Sequence, residues 1–323
     1  MNYQFVEKPN RLIQLEAIVP RLKQSHPNFH ELNIQLGKDL AGYVGEKNLR
    51  YYFEFIQAEK VIHLAGLRLR GSTYYTQIDH LIATPHIIFI IEVKNRKGII
   101  AQNQHSQYVQ QYQKTSVTFD NPKHQADIQK RQLDYILRHH GFSRIPIIPI
   151  VAFPHNSVQL DVSITSKEVM VAQEVPFFIN DCLVNNRQLY YNDHQLQQLE
   201  KLLRSLHQPR EVDLIKDYNI KLEDLNTGVL CPLCRNIFMQ RQYATWTCSK
   251  CENSDPTAHH QALRDYTHLF SPIINNRTAR WWLGLSCYSL TYRLLSEFPV
   301  IKPSGRKAVQ YNLSSLNKID KSS

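Results

Sequence analysis

The stretch that most restricts the fold is His86–Lys94, with the sequence HIIFIIEVK. It is rich in β-branched residues and is bounded by Thr84-Pro85 on one side and by Asn95 to Gly98 on the other. That composition favours a strand. Side chains on a strand alternate between faces. His86, Ile88, Ile90, Glu92 and Lys94 therefore share one face, and Ile87, Phe89, Ile91 and Val93 the other. A strand apolar on both faces sits in a buried sheet. Glu92 and Lys94 lie at its C-terminal end, about 6–7 Å apart along the strand. A buried carboxylate is costly unless it is paired or holds a metal. A plain ion pair at a strand end is the alternative for these two residues alone.

Neighbouring segments add more carboxylates. Tyr75–Ala83 reads as an antiparallel partner strand, with Asp79 and Leu81 on one face and Ile78 and Ile82 on the other. A hairpin places Asp79 near Glu92. Two acids across a ladder repel, so a bound divalent cation is the economical explanation. His80 points to the opposite face and reads as packing behind the site. Gly45–Ala58 reads as a helix with Leu49, Phe53 and Ile56 on its apolar stripe. Glu46 lies on the same stripe; by itself it is equally an ordinary first-turn carboxylate. Asn121-Pro122 signals a helix start, with Asn as N-cap and Pro at the first position. Gln125 falls one turn later, on the expected face of Ile128 and Ile136. Capping and packing alone also account for it.

The chain of 323 residues is long enough for two or three domains. Hydrophobic residues make up 42 %, which excludes global disorder. Lys plus Arg number 38 against 28 for Asp plus Glu, a net charge of +10. This excess implies a polyanionic partner, either nucleic acid or an anionic membrane surface, or else a basic surface kept for solubility. The longest apolar runs fall far short of the roughly 20 residues that span a bilayer, and no signal peptide is evident. We expect a cytoplasmic protein with no membrane segment. A Gly-rich phosphate loop with Lys-Ser/Thr is absent, so no nucleotide cofactor is expected.

Alternating helix and strand patterns imply an α/β domain over 37–185, after a helical N-terminal extension over 1–36. Gln102–Gln113 reads as a surface loop or weak helix. A helical connector covers 186–226, with Leu196, Leu199, Leu203 and Leu206 at helical spacing in Asp193–Leu206. Within 227–256 stand Cys231-Pro-Leu-Cys234 and, thirteen residues later, Cys248-Ser-Lys-Cys251. Two C-x-x-C knuckles at this separation fit one closed, structural four-cysteine Zn²⁺ site. Trp246, Arg241 and Lys250 are candidates for base stacking and phosphate contact there, or for plain packing and solubility. Cys182 and Cys287 read as buried free thiols.

The last segment, 257–323, reads as a helix from His260, a helix over Asn276–Leu283, a Gly284 turn, and a third helix capped by Ser286 and running to about Phe298. A strand pair with Ser304-Gly305 at its tip follows. This is the element order of a winged helix-turn-helix. Pro272 to Leu313 holds Arg277, Arg280, Arg293, Lys302, Arg306 and Lys307 against the single acid Glu297. The third helix offers Ser289, Tyr292 and Arg293 to a groove, and the wing offers Arg306 and Lys307 to phosphates. The Trp281-Trp282 pair and Tyr288 read as core. A helical packing module without groove contact is the alternative.

Taken together, Gly45-Glu46, QID at 77–79, IEVKN at 91–95 and NPKHQ at 121–125 resemble the NERD domain, the nuclease-related domain of the PD-(D/E)-x-K nuclease-like superfamily. The resemblance covers roughly 37–180. It implies a restriction-endonuclease-like mixed sheet flanked by helices. It also implies Asp79 and Glu92 as Mg²⁺ or Mn²⁺ ligands, Lys94 as the lysine of the E-x-K element, Glu46 as the helix-borne carboxylate and Gln125 as the polar residue of the late helix. The cysteine unit resembles zinc ribbons appended to some topoisomerase-like and NERD proteins. The expected function is a metal-dependent nuclease, or nuclease-like DNA-processing protein, with accessory zinc-ribbon and winged-helix units. The alternative is a non-catalytic DNA-binding or regulatory protein that uses the fold as a scaffold. RNA as the polymer is a third reading.

Overall fold

The computed structural model describes residue 4 and residues 6–142, 144–302 and 308–321. The chain forms two compact units: Met1–Lys8 with Lys38–Arg210, and Pro9–Gly37 with Glu211–Ser323. Helices α1 (Asn10–Ile18) and α2 (Phe29–Tyr52) come first, and α2 contributes residues to both units. No helix among the described residues is long and apolar enough to cross a membrane.

The first unit is mixed α/β. Strands β1 (Ile62–Arg70), β2 (Tyr75–Ala83) and β3 (Ile88–Val93) are followed by β4 (Gly98–Gln102), β5 (Tyr108–Tyr112) and β6 (Thr115–Phe119). Helix α3 (Pro122–His139), strands β7 (Ile147–Phe153), β8 (Val158–Leu160) and β9 (Val169–Val171), and helices α4 (Val175–Asn185) and α5 (Asp193–Leu206) complete it. The large sheet has the order β1-β2-β3-β7-β9, antiparallel up to β3 and parallel beyond it. A smaller sheet has the order β6-β5-β4-β8.

Strand β3 is central, and Ile88 to Ile91 are fully buried. Ile88 and Ile90 pack with Leu133, Ile136 and Leu137 of α3 and with Leu196, Leu199 and Leu203 of α5. Phe89 and Ile91 pack with Leu49 of α2, with Phe53 and Ile56, and with Val175 and Ile179 of α4. The sheet thus lies between two helical layers. Each fully buried side chain of this size contributes about 1.5–3 kcal/mol.

Several expectations change. Asp193–Leu206 is a helix with the expected bounds and a capping box between Asn192 and Gln195. It packs its leucines into the first unit's core rather than acting as a free connector. Of Gln102–Gln113, residues 103–107 form a turn, while Tyr108–Tyr112 is a strand that pairs with Thr115–Phe119 in a hairpin turning at Gln113, φ 54°. Ile78 falls in the same cluster as Leu81, while Ile82 lies on the other face. The ladder between β1 and β2 explains this, since pairing steps from Ala65↔His80 to Leu67↔Ile78. The skipped residue Gly66 has φ 63°, and the distortion breaks the alternation opposite Asp79.

The second unit contains α1, helix α6 (Leu214–Asp217) and two three-stranded sheets. Strands β10 (Gln240–Gln242), β11 (Thr245–Thr247) and β12 (Ser254–Asp255) form one. Helix α7 (His259–Leu269), strand β13 (Ile273–Asn275), helices α8 (Asn276–Leu283) and α9 (Tyr288–Leu295), and strands β14 (Val300–Ile301) and β15 (Gln310–Asn312) follow. The last sheet has the order β13-β15-β14. Leu15 and Ile18 of α1, Trp246, Leu263, Trp282, Leu295 and Leu313 share one core. Residues 9–36 of the segment read as an N-terminal extension are therefore part of this unit, and α1 contributes to its core.

Local differences follow from the same packing. The N-cap of α9 is Cys287 rather than Ser286, and α9 ends at Leu295. Cys287 is consequently exposed rather than buried. Tyr288 is exposed, not core. Trp246 is only 2 % exposed and belongs to the core, so it offers no stacking surface. The expected wing tip, Ser304-Gly305, with Arg306 and Lys307, lies outside the described residues; β14 and β15 on either side of it pair antiparallel.

One charge is buried at the heart of this unit. Arg21 is fully enclosed, donating to the Gly228 carbonyl at 2.8 Å and to Asp265 Oδ2 at 3.2 Å, with its guanidinium 4.3 Å from the Trp282 ring centroid. Burial pulls the Arg21 pKa down and pushes that of Asp265 up, and the pairing opposes both shifts. Truncating one partner of such a pair leaves a lone buried charge, at a cost of about 3–5 kcal/mol. All three tryptophans, Trp246, Trp281 and Trp282, lie in this unit and report its unfolding. Arg21→Ala should lower its stability in urea by that amount, and Arg21→Met with Asp265→Leu should regain most of it. A loss below about 1 kcal/mol, the scale of an exposed pair, would contradict this role.

Candidate active site

The site forms where β3 runs out. His80 pairs with Ile91, so the next step of the register sets Asp79 across from Glu92. Asp79 Oδ2 accepts the Val93 backbone N–H at 2.9 Å. Glu92 is only 3 % exposed. Its Oε1 accepts from Lys94 Nζ at 2.5 Å and its Oε2 from Gln129 Nε2 at 2.6 Å. Lys94 Nζ also donates to Gln125 Oε1 at 3.0 Å. The expected carboxylate–lysine pair is thus present, with both glutamines supplied by α3.

Helix α3 starts as its sequence dictates: Asn121 Oδ1 accepts from the Lys123 N–H at 2.9 Å, and Pro122 opens the first turn. Its buried face carries Ala126, Gln129, Leu133, Ile136 and Leu137. Ile128, placed on that face by the sequence reading, is exposed. Gln125 sits at the exposed edge and reaches the lysine from there. Gln129 went unnoticed in the sequence; it lies one turn beyond Gln125, which was the available signal.

Helix α2 brings Glu46 to the same end of the sheet. Its approach depends on Gly45: a Cβ there would stand 2.5 Å from the Asn95 Cβ. Asn95 Nδ2 in turn donates to the Ala41 carbonyl at 2.6 Å. The Gly45-Glu46 and IEVKN motifs are two sides of one close contact. Behind it, His80 and His63 are buried and joined at 3.0 Å, and His80 Nε2 lies 3.2 Å from the Glu46 carbonyl. Burial lowers the His80 pKa to about 4; burial and then the His80 ring lower that of His63 to about 2. Both rings are neutral at pH 7. His80 is packed in the core, as expected, and its hydrogen bond to α2 is an addition.

The electrostatics are those of a concentrated negative charge. Burial, then the charge of Glu92, pushes Glu46 up to about 7. Burial, Glu92 and Glu46 push Asp79 well above the usual carboxylate range, opposed by the Val93 N–H and Lys94. Three carboxylates face one lysine. Protons or a cation must compensate them, and an all-oxygen set suits a hard divalent ion. The ligand atoms of this trio are a looser set than those of the four cysteines, which all lie within 4.8 Å of one another.

The cysteines form the second cluster. Cys231 Sγ stands 3.7 Å from Cys251 Sγ, and Cys248 Sγ 3.9 Å from Cys234 Sγ. A tetrahedral Zn²⁺ with Zn–S of about 2.3 Å implies sulfur–sulfur edges of about 3.8 Å. Disulfide bonding would require about 2.05 Å, and all six cysteines are free. Backbone N–H groups of Cys251 and Lys250 lower the Cys248 pKa to about 7, while the hydrogen bond with Cys251 raises that of Cys234 to about 12; a bound cation would hold all four as thiolates.

A third group, His259, His260 and Glu297, also brings its ligand atoms within 4.8 Å. Trp246 Nε1 donates to His259 Nδ1 at 3.3 Å. The neutral ring then carries its proton on Nε2, which faces Glu297 Oε1 at 3.3 Å. A protonated nitrogen is no ligand, so this is a hydrogen-bonded chain that ties β11 to α7. His260 Nε2 completes it at 2.7 Å from the same carboxylate oxygen.

Of the basic residues expected to meet nucleic acid, Arg277, Arg293 and Lys302 are exposed, as are Ser289 and Tyr292. Arg280 is half-buried and donates to the Ser286 carbonyl at 3.3 Å. Arg306 and Lys307 lie outside the described residues.

Comparison with known families supports the reading of the first unit. Residues 41–154 match the NERD family model, the nuclease-related domain. The matched segment runs from α2 to the end of β7 and includes Glu46, Asp79, Glu92, Lys94 and Gln125. No curated protein and no solved structure matches the chain.

The sulfur geometry gives a direct check. Purified protein should hold about one zinc per chain by elemental analysis, and Cys248→Ser should lose most of it together with thermal stability of the second unit. Zinc content unchanged by that substitution would contradict a four-thiolate site.

Proposed function

We propose that the first unit is a Mg²⁺- or Mn²⁺-dependent nuclease that hydrolyses phosphodiester bonds, and that its polymer is DNA. The observation that carries this reading is the meeting of Asp79, Glu92, Lys94 and Gln125 at the end of β3, within the segment that matches the nuclease-related domain. Asp79 and Glu92 would hold the ion, with Glu46 adding negative charge beside them. The ion would supply a bound water of lowered pKa and neutralise charge at the phosphoryl group. Lys94 acts as a point charge beside the attacked phosphate and a donor to the attacking water. Gln125 and Glu92 fix the direction of its ammonium, and Gln129 fixes Glu92. A scissile phosphate would thus meet preset donors rather than side chains still to be ordered.

The second unit supports nucleic-acid binding. Its order of α7, β13, α8, α9, β14 and β15, with the sheet order β13-β15-β14, agrees with a winged helix. In that reading α9 presents Ser289, Tyr292 and Arg293 to a groove, while Arg277, Arg280, Lys302, Arg306 and Lys307 meet phosphates. A zinc ribbon at Cys231–Cys251 would stiffen the segment ahead of α7. Reduced, metal-binding cysteines fit a cytoplasmic setting.

The test is a cleavage assay on labelled single-stranded, duplex and branched DNA with Mg²⁺ or Mn²⁺. Asp79→Ala and Glu92→Gln should each slow single-turnover cleavage at least about a hundredfold, the scale on which one preorganised charge acts, while the chain stays folded by circular dichroism. Binding without cutting, with every metal and substrate, would overturn the nuclease reading and favour a DNA-binding scaffold.

A further inference from the structure

One buried ring ties the strand that carries Asp79 to the helix that carries Glu46, and its residue's backbone pairs beside Glu92. His80 follows Asp79 on β2, pairs with Ile91 next to Glu92 on β3, and reaches the Glu46 carbonyl on α2. A carbonyl only accepts, so the hydrogen on His80 sits on Nε2. In the neutral ring Nδ1 is then bare and accepts from His63 Nε2, 3.0 Å away. The two rings form a one-way chain: His63 Nε2–H to His80 Nδ1, then His80 Nε2–H to Glu46 O. Phe53 packs edge-on against both rings, at 5.2 Å from His63 and 5.0 Å from His80, which fixes their planes. Neither ring needs this bond for burial alone, since a phenylalanine or leucine would fill the space without a polar group to satisfy.

We propose that His80, oriented by His63, is the positioning residue of the candidate site: it locks the Glu46 turn of α2 against the strands that carry Asp79 and Glu92. Gly45 and Asn95 set how closely α2 approaches, and His80 sets its rotation and height, so the Glu46 carboxylate meets Glu92 at a fixed place. Without the bond, α2 would still pack through Leu49, but its Glu46 carboxylate would lose register with the sheet. The proposal rests on the nuclease reading and deepens it.

The experiment is a double-mutant cycle of His80→Phe with Glu46→Gln, read by kcat and KM on duplex DNA with Mn²⁺ and by the Mn²⁺ dissociation constant. His80→Phe should lower kcat about tenfold with KM within about twofold, as expected for small misplacement of a reacting group. His80→Gln, which keeps a donor near the Nε2 position, should restore kcat to within about threefold. In the Glu46→Gln background His80→Phe should add less than about a twofold loss, because the carboxylate whose placement His80 fixes is already gone. Additive losses, or wild-type kcat in His80→Phe, would overturn the proposal. If His80→Phe fails to fold, His63→Leu, one link back, carries the test: a partial kcat loss supports it and wild-type kcat overturns it. If the wild type binds Mn²⁺ but cuts nothing, the nuclease reading falls. The same cycle in Mn²⁺ affinity then decides on His80: non-additive weakening rescued by Gln supports it, and additivity overturns it.

Discussion

Everything in the first unit is arranged around a carboxylate that has almost no access to water. Glu92 is 3 % exposed and ends a strand buried on both faces. Burying a carboxylate in that position is costly unless strong donors occupy its oxygens. Lys94 takes one and Gln129 the other. The donors come from the strand itself and from α3, so the sheet and this helix must dock in one register for both oxygens to be satisfied. The apolar strand sequence drives the burial, and the burial then dictates the polar partners.

The opposite helical layer meets the same constraint from the other side. Helix α2 can reach the strand end because residue 45 is glycine, which leaves Asn95 the room a Cβ would take. Once there, Glu46 adds charge near Glu92 and Asp79, and burial pushes it up to about 7. A fold that sought stability alone would not gather three acids around one lysine. Such frustrated local electrostatics are what the proposed nuclease site would use.

Much of this could be read from the sequence where the signal is local. The bounds of β2 at Tyr75–Ala83, of α5 at Asp193–Leu206 and of α8 at Asn276–Leu283 follow from alternation, helical spacing and capping residues. The pairing of Glu92 with Lys94 follows from a period of two. What escaped depends on neighbours distant in the chain. Ile78 changes face because Gly66 distorts the partner strand. Ile128 is exposed and Gln129 buried because α3 is rotated by its contact with β3. Tyr108–Tyr112 becomes part of a sheet because Thr115–Phe119 offers it a partner. Trp246 is core because it packs against His259 of α7 within a cluster that also takes in α1, which a cysteine motif cannot foretell.

The second unit solves a different problem: a small sheet and cysteine cluster joined to helices through one core that includes α1 and the enclosed Arg21. The central claim, however, concerns the end of β3. Anomalous diffraction from crystals of the whole chain grown with Mn²⁺ tests it most directly. The account expects a manganese peak between the Asp79 and Glu92 carboxylates, lost in Asp79→Ala. A well-ordered site with no peak there, Lys94 still seated on Glu92, would contradict it.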